Sequence, residues 1–154
     1  MTFTTIRQLS FGHCDPAGMA YFPAYLDMLV GVTEELFESI GAPWPMLFGE
    51  RHIGLPTQHL DITFRKPGFH GDRLSFSVLV AEMGETSIIL ESTITVAERP
   101  IWLCRQRMVC TSLKTRRPLP WPSDLRIGLL RYANGQAASE LPRSIVVPNS
   151  ASHL

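Results

Sequence analysis

Between Pro23 and Ile40, apolar and β-branched side chains recur every three or four residues, at Tyr25, Leu26, Leu29, Val32, Thr33, Leu36, Phe37 and Ile40. That spacing places them on one face of an α-helix. Pro23 suits a first helical position, and Gly41 and Pro43 end the pattern. Asp27, Glu34, Glu35 and Glu38 fall mostly off the stripe. A helix with one apolar face has to bury it, and the following sequence supplies a partner surface. Leu60, Ile62 and Phe64 alternate with Asp61, Thr63 and Arg65 until Lys66-Pro67-Gly68 makes a turn. Further strands are predicted at about 72–82, 86–97 and 101–114, the first two joined at Met83-Gly84-Glu85. Residues 3–10, with Phe3, Thr4, Thr5, Ile6 and Leu9, suit an initial strand. One strand, one long helix and then a run of antiparallel strands is an α+β pattern in which the helix covers one sheet face.

Two segments lie outside this pattern. Residues 43–56 are punctuated by proline and glycine and are expected to connect helix to sheet as a long, partly ordered segment. The tail carries Pro118, Pro120, Pro122, Pro142 and Pro148, with one helix expected at about 123–133. We therefore divide the chain into a domain over 1–117 and a Pro-rich extension over 118–154 that packs on the domain or on a neighbouring subunit. There is no internal repeat.

The 154 residues suit one domain, which at this size buries roughly two-thirds of its unfolded surface. Hydrophobic residues at 45% against charged residues at 18% lean apolar, so another subunit is expected to cover part of the surface. Lys plus Arg balance Asp plus Glu at 14 each, so no global field recruits nucleic acid or an anionic membrane. An anionic ligand has to be held by a local cluster. Cys14, Cys104 and Cys110 form no CxxC pair, which argues against a disulfide or a thiolate metal site. The N-terminus has no basic segment leading into an apolar region, and no apolar run reaches the roughly 18 residues of a membrane span. A cytoplasmic location is the expectation.

Chemistry concentrates in Phe11-Gly12-His13-Cys14-Asp15-Pro16-Ala17-Gly18. Pro16 restricts Asp15 to extended conformations, while Gly12 and Gly18 permit positive φ. Asp15 precedes a helix start, where unpaired backbone N–H groups and the positive dipole end gather. A carboxylate there could attack an acyl carbon or activate water while a helix N–H polarises the acyl oxygen. It could equally cap a turn or the helix.

The run from Phe11 through Cys14-Asp15-Pro16-Ala17-Gly18-Met19-Ala20-Tyr21-Phe22-Pro23-Ala24 to Tyr25 closely resembles the active-site signature of the 4-hydroxybenzoyl-CoA thioesterase family. The resemblance extends more weakly to about residue 115. It implies a hotdog fold, one long helix wrapped by a five-stranded antiparallel sheet, and hydrolysis of an acyl-CoA thioester to a carboxylic acid and free CoA. Asp15 would be nucleophile or general base, and the Phe22 N–H, joined by that of Tyr21, would polarise the carbonyl. His13 stands where some relatives carry an acidic residue and could assist proton transfer. Coenzyme A enters as part of the substrate, and no cofactor or metal is expected.

Tyr25, Val30, His59, Arg65 and Lys66 are the candidate substrate contacts, His59 reaching the acyl pocket across a dimer interface. Val30 occupies the place where relatives specific for 4-hydroxybenzoyl groups use a carboxylate to bind the phenol. An apolar or unsubstituted aryl pocket follows. The turn at Met83-Gly84-Glu85-Thr86 lacks the family's basic run for coenzyme A phosphates, which leaves Arg65, Lys66, Lys114, Arg116 and Arg117 as candidates. The resemblance also implies a homodimer joined sheet edge to sheet edge, with a homotetramer expected. An acyl carrier protein thioester is an alternative substrate. A non-catalytic acyl-binding protein and a hotdog hydratase are alternative functions, although a hydratase needs a histidine that the helix does not offer.

Overall fold

In the computed structural model, which describes residues 1–133, the helix and the strands form two layers. Strands β1 (Phe3–Gln8), β3 (Thr57–Phe64), β4 (Arg73–Met83), β5 (Ser87–Val96) and β6 (Arg99–Val109) make one antiparallel sheet in the order β1-β4-β5-β6-β3. The strands of this sheet that precede and follow the helix, β1 and β3, therefore lie at opposite edges. Helix α1 (Phe22–Ser39) has to carry the chain from one edge to the other across a sheet face. Its 18 residues span about 27 Å, enough for five strands at roughly 4.8 Å spacing.

The buried face of α1 carries Tyr25, Met28, Leu29, Val32, Thr33, Leu36 and Phe37. It packs in one core with Leu74, Phe76, Val78 and Val80 of β4, Ile88, Leu90 and Ile94 of β5, and Trp102, Cys104 and Met108 of β6. Every second residue of these strands is buried, as period-two alternation requires. The β5–β6 hairpin turns in two residues, Ala97 and Glu98, with φ of 47° and 65°. That is the primed geometry that matches strand twist, here without glycine. Burial pushes the Cys104 and Cys110 thiols up to about 11, which leaves both protonated at neutral pH.

The α+β expectation holds, and two local expectations do not. Residues 43–56 are not a partly ordered connector: they hold helix α2 (Trp44–Gly49) and strand β2 (Ile53–Gly54). Pro45 sits in the first turn of α2, where a missing N–H costs nothing, and Trp44 stacks near Phe37 and Phe48. The strand expected to run to residue 114 stops at Val109, and β7 (Thr111–Ser112) then pairs with β2. Further on, α3 (Ser123–Leu130) buries Leu125 and Leu129, and the Trp121 indole N–H donates to the Ser87 carbonyl at 3.1 Å. The Val80 N–H donates to the Tyr132 carbonyl where β1 no longer covers β4. Pro142 and Pro148 lie outside the described residues. Among those described, no helix is long and apolar enough to cross a membrane.

Phe76 is fully buried at the centre of this core. Phe76→Ala is expected to lower stability by about 3–5 kcal/mol, read from the shift in denaturant midpoint at constant slope.

Candidate active site

The loop from Leu9 to Tyr21 is fixed by backbone hydrogen bonds to the link between β3 and β4. The Leu9 N–H donates to the Asp72 carbonyl at 2.8 Å, and the Gly71 N–H donates back to Leu9 at 2.7 Å. The Ala20 N–H reaches the Gly68 carbonyl at 2.8 Å, and the His70 N–H reaches the Gly18 carbonyl at 2.9 Å. The buried Tyr25 hydroxyl accepts from the Gly68 N–H at 3.1 Å. Burial raises the Tyr25 pKa above its ordinary value, partly offset by that bond, so the phenol stays neutral across the physiological range.

Within this frame the Asp15 carboxylate is half engaged. Its Oδ1 accepts the Ala17 N–H at 2.9 Å and the Met19 N–H at 3.1 Å, an arrangement that Gly18 permits at φ 77°. Its Oδ2 has no partner among the described residues. Asp15 thus caps a turn with one oxygen and keeps the other available. The carboxylate opens onto a cleft of about 320 Å³ shared with Met19, Ala20, Phe22, Tyr25 and the Phe64–Pro67 segment.

Phe22 is the first residue of α1, and its backbone N–H has no acceptor among the described residues. The Pro23 nitrogen carries no hydrogen, and the Ala24 N–H donates to the Tyr21 carbonyl at 2.8 Å. Phe22 therefore holds the open donor at the helix start. Tyr21, expected as a second donor, does not serve: its N–H is committed to the His13 carbonyl at 2.8 Å. His13 is also drawn away from proton transfer. Its Nδ1 accepts the Ser10 N–H at 3.0 Å, folding the ring over the Phe11–His13 turn, and it does not line the cleft.

Residues 9–129 match a family model described as the thioesterase-like superfamily. The chain belongs to that superfamily. It is 27% identical over 125 residues to the 1,4-dihydroxy-2-naphthoyl-CoA hydrolase of Nostoc punctiforme, covering 81% of this chain and 84% of that protein. Among solved structures it resembles a 1,4-dihydroxy-2-naphthoyl-CoA thioesterase from Synechocystis, with TM-score 0.77, 25% identity, and coverage of 84% of this chain and 96% of that one. The 4-hydroxybenzoyl-CoA thioesterase of a Pseudomonas strain matches with TM-score 0.77 at 22% identity, covering 82% and 98% of the respective chains. The hotdog fold implied by the loop signature is thus present.

Within this thioesterase-like domain, Asp15, Phe22, Tyr25, Arg65 and Lys66 converge on one cleft. Val30 and His59 do not join them. Val30 lies two turns along α1 from Phe22, 55% exposed. His59 pairs with Arg107, whereas Leu60, Ile62 and Phe64 pair with Gln106, Cys104 and Trp102 on the helix-facing side. Strand alternation therefore turns His59 to the opposite sheet face, beside Asp61, Ile89, Arg105 and Arg107, so it cannot line the cleft of its own chain. Lys114, Arg116 and Arg117 follow β7, at the far end of β6 from the cleft.

Phe64 is the residue the sequence reading passed over. It alternates like a core position, yet it ends an edge strand, is 53% exposed, and meets Phe22 and Tyr25 at ring separations of 6.3 Å each. The missing signal was position: only pairing order reveals that β3 is an edge.

Gly68 is required by close approach, because a Cβ there would stand 2.6 Å from the Tyr25 hydroxyl oxygen. Gly68→Ala is expected to cost about 1–3 kcal/mol by thermal denaturation, and to reduce thioesterase activity at temperatures where the variant is fully folded.

Proposed function

We propose that this chain hydrolyses acyl-CoA thioesters, with the Asp15 carboxylate as nucleophile or general base and the Phe22 N–H polarising the thioester carbonyl. The observation that carries this reading is the divided Asp15 carboxylate: one oxygen is held by two backbone N–H groups, the other is open to a cleft that begins at an unpaired helix N–H. Held in this way, the open oxygen needs little reorganisation to meet an acyl carbon. A thiolate leaves without a strong general acid, so the proposed reaction needs no metal or cofactor. An anhydride on Asp15 and direct activation of water are both compatible with this geometry.

The cleft also supports a substrate class. Phe22, Tyr25 and Phe64 offer flat apolar surface beside the reacting carboxylate, which suits an aryl acyl group. The naphthoyl-CoA activity named for the Nostoc and Synechocystis relatives points the same way. Arg65 and Lys66, at the rim, would meet the phosphates of coenzyme A. In a panel of aliphatic, phenylacetyl, benzoyl and naphthoyl thioesters, carried on coenzyme A and on acyl carrier protein, release of free thiol is expected to be fastest with an aryl-CoA. No turnover of any member would leave a ligand-binding role instead.

The proposed working unit is at least a homodimer joined through β3, and two such dimers would make the expected homotetramer. Strand β3 is exposed along almost its whole length, and its outer edge has no partner among the described residues. An unpaired eight-residue edge with Leu60 and Phe64 exposed is a template for antiparallel pairing with its own copy. Light scattering at micromolar concentration is expected to give a dimer or tetramer mass; a monomer would contradict this.

A further inference from the structure

The sheet has a second face, turned away from α1, that the proposed hydrolysis does not use. Its side chains fall into rows across the strands. Thr4, Ser77, Thr93, Leu103 and Thr63 stand in register from β1 to β3 and form an uncharged row. The next row reads Leu79, Glu91, Arg105 and Asp61, and beyond it come Ile89, Arg107 and His59. Along the second row charge alternates from strand to strand. Arg105 is paired to Glu91 and, at 3.2 Å, to Glu82, whereas the Asp61 carboxylate has no partner among the described residues. Arg107 uses only its Nε, which donates to the Gln58 side chain at 2.8 Å.

This face is ridged. Arg105 and Asp61 stand between a hollow of about 240 Å³, bounded by Glu91, Thr93 and Leu103, and one of about 140 Å³, bounded by His59, Ile89 and Arg107. A ridge carrying both signs beside hollows edged by both signs is complementary to itself: Arg105 of one copy fits the hollow that Asp61 and Glu91 edge on another. The helix side is the reverse. Helix α1 contains Asp27, Glu34, Glu35 and Glu38 and no lysine or arginine. Among the described residues only Glu35 is paired, to Arg7, and Asp27, Glu34 and Glu38 are exposed. In a dimer joined through β3 both helices lie on one side of a continuous sheet, so two dimers meeting on that side would set carboxylates against carboxylates.

Building on the proposed β3 dimer, we propose that two such dimers pair back to back through the outer sheet face, with the Arg105–Asp61 ridge and the Thr93–Leu103 row at the contact. The partner is a second pair of copies of this chain. Five strands at roughly 4.8 Å and about eight residues at roughly 3.4 Å give about 650 Å² of face per protomer and about 1,300 Å² per dimer, above the roughly 800 Å² per partner of a stable interface. The short threonine and serine side chains let the sheets approach to the roughly 10 Å of packed sheets. The helices, with the Asp15 clefts at their starts, then face outward on both sides of the assembly.

The test measures mass by light scattering at micromolar concentration for wild type, Thr93→Lys, Arg105→Glu and, on the helix side, Glu34→Lys. Wild type and Glu34→Lys are expected to be tetramers, and the two sheet-face variants dimers. Arg105→Glu also removes in-chain ion pairs, so Thr93→Lys, which touches neither of them, decides the matter if the melting temperature of Arg105→Glu falls. Raising NaCl from about 50 to about 500 mM should weaken the wild-type tetramer, because screening removes a match of opposite charges; packing through the acidic helices would instead be strengthened by salt. A wild-type dimer at every concentration, or a tetramer that Thr93→Lys leaves intact, would overturn the sheet-face contact while leaving the β3 dimer standing. A monomer would overturn both. None of these readings needs turnover, so the outcome is independent of whether any thioester is hydrolysed.

Discussion

The hydrogen bonds that join residues 9–20 to residues 68–72 are the constraint on which the rest of the site depends. Neither segment is a strand of the main sheet, and neither could hold a side chain to within a fraction of an ångström alone. Joined at Leu9, Gly18, Ala20, Gly68, Gly71 and Asp72, they become a rigid rim. The Tyr25 hydroxyl, projecting from the first turn of α1 to Gly68, ties that rim to the helix whose opening N–H faces the cleft. Carboxylate, helix start and β3–β4 link therefore form a single mechanical unit.

The topology explains why the unit sits where it does. Since β1 and β3 take opposite edges, the chain has to leave the sheet after β1 and cross it as α1, and it has to cross again between β3 and β4. Both crossings start at the same end of the sheet, so their loops meet. The same topology leaves β3 without a partner on one side among the described residues, with aromatic and aliphatic side chains exposed along it. Site and edge share Phe64, which ties the proposed catalysis to the proposed dimer.

Much of this was legible in the sequence because two periodicities write it plainly. The three-to-four spacing from Tyr25 to Phe37 gave α1 to within a residue at each end, and the alternation at Leu60, Ile62 and Phe64 gave β3 and its inward face. Asp15 stood out because Pro16 and Gly18 shape its loop. What was hidden depends on pairing between distant segments. The two-residue strands β2 and β7 have no period of their own, and α2 has too few turns to show one. The sheet face that His59 takes is hidden without the register that puts it opposite Arg107. Nothing in the sequence says that the Tyr21 N–H will bond the His13 carbonyl, or that the His13 ring will fold back to accept from the Ser10 N–H.

The central claim is that Asp15 reacts through the oxygen its turn leaves open. Asp15→Asn tests it most directly, because an Asn Oδ1 can still accept from Ala17 and Met19 while the charged, reactive oxygen is replaced by an amide. The measurement is kcat for the best aryl-CoA beside product affinity and melting temperature. The result expected is a fall in kcat of at least about 10²-fold with affinity and melting temperature unchanged. Undiminished kcat in the folded variant would contradict it.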